Sequence, residues 1–416
     1  MTRILFVMPN RAYRADDFFA AAERAGAEVV VASDRCHVLD EKYRWPESSI
    51  VVDYKDPEGA AATILAGAGR LDGVAGTEGE TAALVAALVA DKLGLAANPP
   101  AAAALARDKR GMREVCAAAG VAVPRFAVVS VDDATPPGLP FPVVLKPTFL
   151  GASRGVIRAD DEASYRAAHA RIARLLAVPE VHARAPEQAG QILVETFVPG
   201  AEIALEGLLV HGDLQPLAFF DKPDPLDGPF FEETLYVTPS RHAAALQQAA
   251  WDLVAAATRA MGLRHGPIHA EARLGPRGPV LLEVAARSIG GLCGRMLRFG
   301  TGLGLEDVLV RHALGMPVAA TRERAAAGAM MLPIPSAGVL RAVEGVEEAR
   351  RIADDVVISA RLEQELVPLP EGDAYLGFLF AHAADPAAVE DRLRRAHRAL
   401  RFVITPVLPT APQARP

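Results

Sequence analysis

The sequence LLEVAARSIGG, from Leu281 to Gly291, predicts a β-strand that runs out of an apolar core into a double-glycine turn. Successive side chains of a strand point to opposite faces, so Glu283, Ala285 and Arg287 share one face. That face carries a carboxylate and a guanidinium next to a turn that has no structural need of two glycines.

A second predicted strand, Ile268 to Leu274, places His269, Glu271 and Arg273 on one face, and the turn GPRGP at residues 275–279 joins both strands into a hairpin. Carboxylates on adjacent strands with an arginine beyond them can hold Mg²⁺ and phosphate. The alternative is a surface hairpin whose charges face water. We rank it lower because residues 280–284 are too apolar for a solvated strand.

Length and composition limit the number of domains and the classes of function. A chain of 416 residues exceeds one hydrophobic core, so we expect two or three domains. The net charge of −7 gives no basic footprint for nucleic acid. The three scattered cysteines, Cys36, Cys116 and Cys293, form neither a disulfide framework nor a metal-ligand spacing, which favours a reducing cytoplasm.

No secretory signal or membrane span is predicted. The apolar run at residues 4–8 is too short for a signal peptide and lacks a cleavage site. The alanine-rich stretch at residues 81–97 is interrupted by Asp91 and Lys92, which favours a helix outside the membrane.

The first hundred residues alternate strands and helices, which predicts a small parallel sheet wrapped by helices. The predicted strands are 3–8, 28–32 and 71–76, and the predicted helices are 15–26, 57–69 and 78–93. Such sheets bind ligands at the carboxyl ends of their strands, here residues 9–11 and 76–80. Thr77 can cap a helix while Glu78 and Glu80 point into a crevice, and plain helix capping is an equally good interpretation.

The rest of the chain predicts α+β structure. Residues 98–100 form a joint before a helix at 101–120, and residues 179–190 are expected to be a flexible connector. The other predicted elements are strands at 125–129, 142–146 and 155–159, helices at 162–176, 242–261 and 386–400, and a mainly β region at 191–315. The Pro-rich end, 406–416, is expected to be disordered.

Two further motifs suit a nucleotide. The buried strand FPVVLKP, 141–147, ends in Lys146, which can reach phosphates, and the small residues GASRG, 151–155, can fold their backbone amides over a triphosphate. In ILVETFVPGAE, 192–202, Glu195 and Glu202 flank a Pro-Gly bend and can accept a purine amino group and ribose hydroxyls. Each motif alone is more often structural, but their order along the chain is hard to obtain by accident.

In this order the motifs resemble the ATP-grasp superfamily, specifically its carboxylate–amine ligases, including the bacterial L-amino-acid (dipeptide) ligases. The resemblance implies a fold of the α/β and α+β classes: an ATP-grasp fold with an N-terminal Rossmann-like (pre-ATP-grasp) domain and a small C-terminal α+β domain. The implied boundaries are 1–97 for the N-terminal domain, 98–190 and 191–321 for the small and large ATP-grasp subdomains, 322–405 for the C-terminal domain and 406–416 for a disordered tail.

The resemblance also implies a role for each site residue. Nucleotide binding falls to Lys109 and Lys146 at the phosphates, Ser153 in the covering loop, Glu195 with the backbone of Phe197 and Val198 at adenine, and Glu202 at the ribose. Glu271 and Glu283 would bind Mg²⁺, for which Mn²⁺ can substitute. Arg287 would face the transferred phosphate and the acyl group.

The implied reaction is ATP-dependent ligation of a small carboxylate, through an acyl phosphate, to an amine, with amino acids as the expected substrates. The amides of Gly290 and Gly291 would join Arg287 in stabilising the oxyanion. Arg295 would receive a substrate carboxylate or simply pair with an acid. His269 would contact substrate or accept the amine proton, or be a hydrogen-bonded structural group.

Some features remain open. The segment from Phe219 to Thr234 is expected to cover the acceptor site, with Lys222 and either Glu232 or Glu233 facing the ligand. The family's metal strand commonly reads Glu-x-Asn, whereas this chain has Ala285, which cannot coordinate a cation. One alternative, which Ala285 suggests, is a non-catalytic ATP-binding protein. The other is an ATP-grasp enzyme of purine or carboxylase type, which activates formate or bicarbonate. In several relatives the C-terminal strands make dimer contacts, so a homodimer is possible.

Overall fold

The computed structural model describes residues 2–9, 12–34, 49–300, 302–318, 321–323 and 325–407. Three expectations lie wholly or largely outside these residues: the fate of Cys36, the strand end at residues 10–11, and the disordered tail beyond residue 407. None of the described helices is both long enough and apolar enough to cross a membrane.

The N-terminal residues form the predicted parallel sheet. Its strands lie in the order β3-β2-β1-β4, and each neighbouring pair is parallel. The elements are β1 (Thr2–Met8), α1 (Ala15–Arg24), β2 (Ala27–Ser33), β3 (Ser49–Val51), α2 (Pro57–Gly67), β4 (Gly73–Gly76) and α3 (Glu80–Leu93). The expectation that Thr77 caps a helix is wrong: Gly79 is the first cap residue of α3, and the Thr77 hydroxyl donates to the Val7 carbonyl at 3.4 Å.

The predicted single helix at residues 101–120 is two helices, α4 (Pro100–Leu105) and α5 (Lys109–Ala118). The break occurs at Asp108, whose side chain accepts a hydrogen bond from the backbone N–H of Arg110 and so begins a new helix. This break puts Lys109 at the start of α5, where it can reach the hairpin.

A four-stranded antiparallel sheet follows, in the order β5-β8-β6-β7. It comprises β5 (Phe126–Ser130), β6 (Val143–Pro147), β7 (Ile157–Ala159), α6 (Glu162–Leu176), α7 (Pro179–His182) and β8 (Gln191–Thr196). The expectation of a flexible connector at residues 179–190 is wrong. Residues 179–182 form α7 and residues 188–190 form a 3-10 turn, and Val181 and Ala189 are buried.

An eight-stranded sheet dominates the remainder, in the order β13-β12-β9-β10-β11-β14-β18-β16, and a three-stranded sheet, β17-β15-β19, lies beside it. Their elements are β9 (Ala201–Val210), β10 (Asp213–Asp221), β11 (Leu235–Thr238), α8 (Ala244–Met261), β12 (Gly266–Gly275), β13 (Gly278–Ala285), α9 (Leu305–Ala313), β14 (Ala326–Leu332), β15 (Gly338–Glu344), α10 (Val346–Ile352), β16 (Asp355–Ile358), β17 (Glu365–Leu366), β18 (Gly377–Ala383), α11 (Pro386–Ala399) and β19 (Arg401–Thr405). The β11–β14 pairing makes the large sheet continuous across the expected boundary at residue 321.

The hairpin forms as predicted, and its alternation decides which side chains face the cavity. On β12, Ile268, Ala270 and Ala272 pack in a core with α5 and α8. The intervening side chains therefore emerge on the opposite face of the sheet. Glu271 lies directly across from Glu283, with a bulge in the register at Glu271 and Ala272.

A buried histidine, His312, meets a half-buried one, His265, where α9 packs on the start of β12. The rings of His265 and His312 stack with centroids 4.1 Å apart, and His211 lies 5.5 Å from His265. His265 Nδ1 and His312 Nε2 are buried without a hydrogen-bond partner. Burial, aided by the neighbouring His265, lowers the pKa of His312 to about 4.

The protein should lose stability between pH 6.5 and pH 4. A lowered folded-state pKa means that the unfolded chain binds the proton more readily, so the His312 contribution is complete above pH 6.5 and is lost as the pH falls towards 4. At about 1.4 kcal/mol per pKa unit, the loss should be about 2 to 3 kcal/mol. Urea titrations at pH 7 and pH 4.5 measure it. His312→Phe should remove this part of the slope, and an unchanged slope in the variant would contradict the assignment.

Candidate active site

A cavity of about 270 Å³ lies between the four-stranded sheet β5-β8-β6-β7, here called the small sheet, and the eight-stranded sheet, here called the large sheet. The face of the large sheet that carries Glu271 lines it. Nearly all the residues predicted from sequence line it. They are Lys109, Lys146, Ser153, Glu195, Phe197, Val198, Glu202, His269, Glu271, Glu283, Arg287, Gly290 and Gly291. Residues from Tyr13 to Tyr375 along the chain thus meet around one space.

On the small-sheet side, a buried carboxylate is held between two cations. Glu195 lies 2.5 Å from Arg113 Nε and 2.6 Å from Lys146 Nζ. Burial alone would raise the pKa of Glu195, but the two cations lower it to about 2. The carboxylate is therefore ionised and fully engaged, so a purine amino group would have to share it with Lys146.

On the large-sheet side, one ammonium group lies within three carboxylates. Lys222 Nζ is 2.9 Å from Glu202, 2.5 Å from Glu233 and 2.9 Å from Glu271. Despite burial, these carboxylates raise the pKa of Lys222 well above its usual value. Burial and the nearby Glu271 raise the pKa of Glu233. Of the two glutamates that the sequence left open, Glu233 lines the cavity and Glu232 does not.

Two more cation–carboxylate pairs lie near the hairpin. Lys109 Nζ lies 2.9 Å from Glu283 Oε1. Arg287 Nη2 lies 2.8 Å from Glu80, which comes from the N-terminal unit. Burial opposes the charge of Glu80, but Arg287 and Lys109 lower its pKa to about 2. Glu80 itself does not line the cavity, but it holds Arg287, which does.

Glu78 behaves differently from Glu80. Its carboxylate accepts hydrogen bonds from the backbone N–H groups of Tyr13 and Arg14, at 2.8 and 3.0 Å, and it does not line the cavity. The expectation that Glu78 points into the crevice is therefore wrong. Its carboxylate instead fixes the start of α1.

His269 lies between two carboxylates. Its Nδ1 is 3.1 Å from Glu206 Oε2 and its Nε2 is 3.7 Å from Glu271 Oε1. Burial opposes protonation, but the two carboxylates raise the pKa of His269 to about 9. In this arrangement the ring is a hydrogen-bonded partner of Glu206, and it also lines the cavity, where it can contact a ligand.

Arg295 does not contribute to the cavity. Its Nε lies 2.8 Å from Asp17 on α1, and its Nη1 lies 4.0 Å from Asp355. The expectation that it receives a substrate carboxylate is wrong, and the alternative, pairing with an acid, is what the structure contains. Arg295 lies in the 3-10 turn at residues 293–296.

Position 291 has no room for a side chain. Its φ is +56°, and a Cβ there would lie 2.7 Å from the ring of Phe378. The turn can therefore bring its backbone close to the cavity while the Phe378 ring packs against it. This explains one of the two glycines whose presence the sequence left without a structural reason.

Several lining residues were not predicted. They are Tyr13, Tyr236, Cys293, Met331, Asp373 and Tyr375, among others. Tyr236 donates its hydroxyl to Glu233 at 2.9 Å. Burial raises the pKa of Cys293 to about 12, so its thiol stays neutral. No short motif marks these residues, because each reaches the cavity through tertiary packing.

The donor set fits a divalent cation. Oxygens of Glu202, Glu233 and Glu271 lie within 4.8 Å of one another, and the Lys222 ammonium already occupies the space between them. The Lys109 ammonium likewise pairs with the carboxylate of Glu283. Carboxylate oxygens are the ligands that Mg²⁺ prefers. Both predicted metal ligands thus already neutralise a positive charge.

Comparison with known proteins shows two domain families. Residues 139–296 match the ATP-grasp domain, and residues 330–405 match the L-amino acid ligase C-terminal domain 2. The alanine–anticapsin ligase of Bacillus subtilis (strain 168) is 29% identical over 216 residues, 48% of this chain and 45% of that protein. The chain spans about half the length of the curated relatives it matches.

Solved structures match over nearly the whole chain. The L-amino acid ligase from Bacillus licheniformis has a TM-score of 0.80 at 24% identity, covering 97% of this chain and 99% of that one. The phosphoribosylglycinamide synthetase from Anaerococcus prevotii has a TM-score of 0.70 at 16% identity, covering 97% and 100%. The chain therefore contains an ATP-grasp domain at residues 139–296 and an L-amino acid ligase C-terminal domain at residues 330–405, and it shares its overall fold with these solved structures.

Proposed function

We propose that this protein is an ATP-dependent carboxylate–amine ligase that joins amino acids, or similar small carboxylates and amines, through an acyl phosphate. The observation that carries the proposal is the convergence of Lys109, Lys146, Glu271, Glu283 and Arg287 on one cavity. The match of residues 330–405 to the C-terminal domain of L-amino acid ligases supports the choice among ATP-grasp reactions.

The nucleotide would lie between the two sheets. Lys109 and Lys146 would hold its phosphates, with Ser153 in the loop above them. Glu195 and the backbone at Phe197 and Val198 would bind adenine, and Glu202 the ribose. These assignments agree with the cavity lining and the sequence resemblance.

Glu271 and Glu283 would hold Mg²⁺, or Mn²⁺ in its place, which would neutralise charge on the phosphates. Ala285 offers no ligand, and the nearby carboxylate of Glu233 can supply an oxygen from the same cavity. When the nucleotide and metal bind, Lys109 would exchange its carboxylate partner, Glu283, for phosphate oxygens. The charge balance of the site would thereby be preserved.

The chain's own residues would also orient the reacting groups. Arg287, fixed by Glu80 and by the Ser288 carbonyl at 2.9 Å, would direct its guanidinium at the transferred phosphoryl group and the acyl oxygen. The backbone amides of Gly290 and Gly291 would add donors at the oxyanion. Positioning and charge neutralisation supply most of the acceleration in phosphoryl transfer.

A purine or carboxylase type of ATP-grasp enzyme is the second candidate. Its support is the TM-score of 0.70 with the N5-carboxyaminoimidazole ribonucleotide synthetase from Thermotoga maritima, against 0.80 with the L-amino acid ligase. The difference and the C-terminal domain match both favour the ligase. A non-catalytic ATP-binding protein is less well supported, because the lysines, carboxylates and arginine of the site are all present.

A phosphate-release screen tests the function. Purified protein with ATP, Mg²⁺ and pairs of amino acids should release phosphate and form amide only with suitable pairs. Glu283→Gln should abolish this release, because the amide neither binds the cation well nor balances Lys109. Release that depends on bicarbonate or formate alone would support the purine or carboxylase type. Tight ATP binding without turnover under any condition would support the non-catalytic alternative.

Two further proposals accompany the function. The scattered cysteines, of which Cys116 and Cys293 are unpaired among the described residues, support a reducing, cytoplasmic setting. A homodimer is proposed through the C-terminal strands, by resemblance alone. Sedimentation at micromolar concentration would test it.

A further inference from the structure

Two segments far apart in the chain meet at the rim of the cavity. We call residues 151–155 the lid loop and residues 367–375 the latch segment. Leu150, Gly151, Ala152 and Ser153 line the cavity from the small-sheet side. The latch segment reaches the same rim from the C-terminal domain, between β17 and β18.

The latch segment binds the backbone and side chains of the lid loop. The N–H of Gly155 donates to the Pro370 carbonyl at 2.8 Å, and Arg154 Nε donates to the Glu371 carbonyl at 2.7 Å. Arg154 Nη1 also lies 3.6 Å from Asp373. These contacts fix the carboxyl end of the lid loop against the C-terminal domain.

A bidentate ion pair reinforces the junction. Arg171, on α6 behind the lid loop, lies 2.5 Å and 2.8 Å from the two carboxylate oxygens of Glu371. Both side chains are about two-fifths exposed, at 39% and 40%. Either side chain can therefore be substituted without leaving a cavity in the core. The two parallel hydrogen bonds fix the relative orientation of the two side chains.

The lid loop needs support of this kind. Ala152 and Ser153 have φ values of +53° and +54°, a left-handed conformation that residues with a Cβ adopt unwillingly. Such a conformation persists where surrounding contacts over-determine it. The bonds to Arg154 and Gly155 lie directly after these two residues.

The other end of the latch segment belongs to the cavity itself. Asp373 and Tyr375 line it, and Tyr375 packs near Phe378, with ring centroids 6.0 Å apart. A continuous run of nine residues therefore touches both the loop above the proposed phosphate site and the wall of the cavity. Glu371 and Tyr375 are four residues apart, so at most about 14 Å of chain separates the contact with the lid loop from the wall of the cavity.

We propose that Arg171 and Glu371 are positioning residues that hold the lid loop closed over the nucleotide, with the latch segment linking this closure to the wall lined by Tyr375. The inference rests on the proposed function. A closed lid loop would retain ATP and keep water from the acyl phosphate. Loss of the latch would therefore release nucleotide faster and waste ATP by hydrolysis.

The test is a charge reversal and its rescue. Glu371→Arg should accelerate dissociation of N-methylanthraniloyl-ATP, in the presence of Mg²⁺, about five-fold. It should also raise KM for ATP and increase the phosphate released per amide formed, with the total rate of ATP consumption within two-fold of wild type. The double variant Arg171→Glu with Glu371→Arg should return all three values to within two-fold of wild type.

A matched control is Glu344→Arg, which breaks an exposed pair with Arg401 in the same C-terminal region, away from the cavity. Glu371→Arg behaving like this control would overturn the proposal, and so would failure of the double variant to restore dissociation. If wild type forms no amide with any substrate pair, the proposed function fails. The dissociation rates alone then decide whether the latch exists.

Discussion

Replacing Glu271 with glutamine should reduce ATP-dependent phosphate release by about 100-fold or more, since removing even an outer-shell partner of a metal ligand commonly costs 10- to 100-fold. Glu271 lies opposite Glu283 across the hairpin and within 4.8 Å of Glu202 and Glu233. Glutamine keeps the size of the side chain but removes the charge that a divalent cation requires. The measurement is the initial rate of phosphate release at saturating ATP, followed over a range of Mg²⁺ concentrations.

The variant should fold. Lys222 keeps two of its three carboxylate partners, Glu202 and Glu233, so no buried charge is left unpaired. Glu232→Gln is the matched control, because Glu232 neighbours Glu233 but does not line the cavity. It should retain nearly full activity. If Glu271→Gln keeps more than a tenth of the wild-type rate, the metal has been assigned to the wrong carboxylates.

The hairpin shows why part of this site could be predicted. A strand exposes alternate residues on one face, so the spacing of His269, Glu271 and Arg273 fixed their common side before any tertiary contact was known. The core packing of Ile268 and Ala270 confirms that side. Similarly, the lysine at the end of a buried strand, Lys146, lines the cavity because β6 runs towards it.

Other features depend on contacts that no local pattern encodes. Arg295 follows the glycines closely in sequence, but it lies in a 3-10 turn and pairs with Asp17, 278 residues away. The sequence left open whether Lys222 would meet Glu232 or Glu233, because loop residues have no fixed period. Its cage of three carboxylates combines β9, β12 and that loop. Tyr375 reaches the cavity only because β18 extends the large sheet.

The junction between the N-terminal unit and the ATP-grasp core was likewise invisible in the sequence. Its centre is Arg14, which is fully buried and lies just before α1. Arg14 Nη1 is 3.0 Å from Glu306, Nη2 donates to the Thr77 carbonyl at 3.0 Å and to Ser288 Oγ at 2.7 Å, and Nε lies 3.5 Å from Glu78. Ser288 adjoins Arg287, so the same arginine also supports the site.

Arg14→Met should lower the free energy of unfolding by about 3 to 5 kcal/mol, because it leaves two buried carboxylates, Glu78 and Glu306, without their cation. Arg350→Met is the control. Arg350 lies on α10 and pairs with Glu347 at 2.7 Å, and both side chains are exposed, at 55% and 77%. An exposed pair of this kind contributes at most about 1 kcal/mol. Urea titrations at pH 7 measure both variants, and a difference between them of less than about 1 kcal/mol would show that the buried arginine does not hold the junction together.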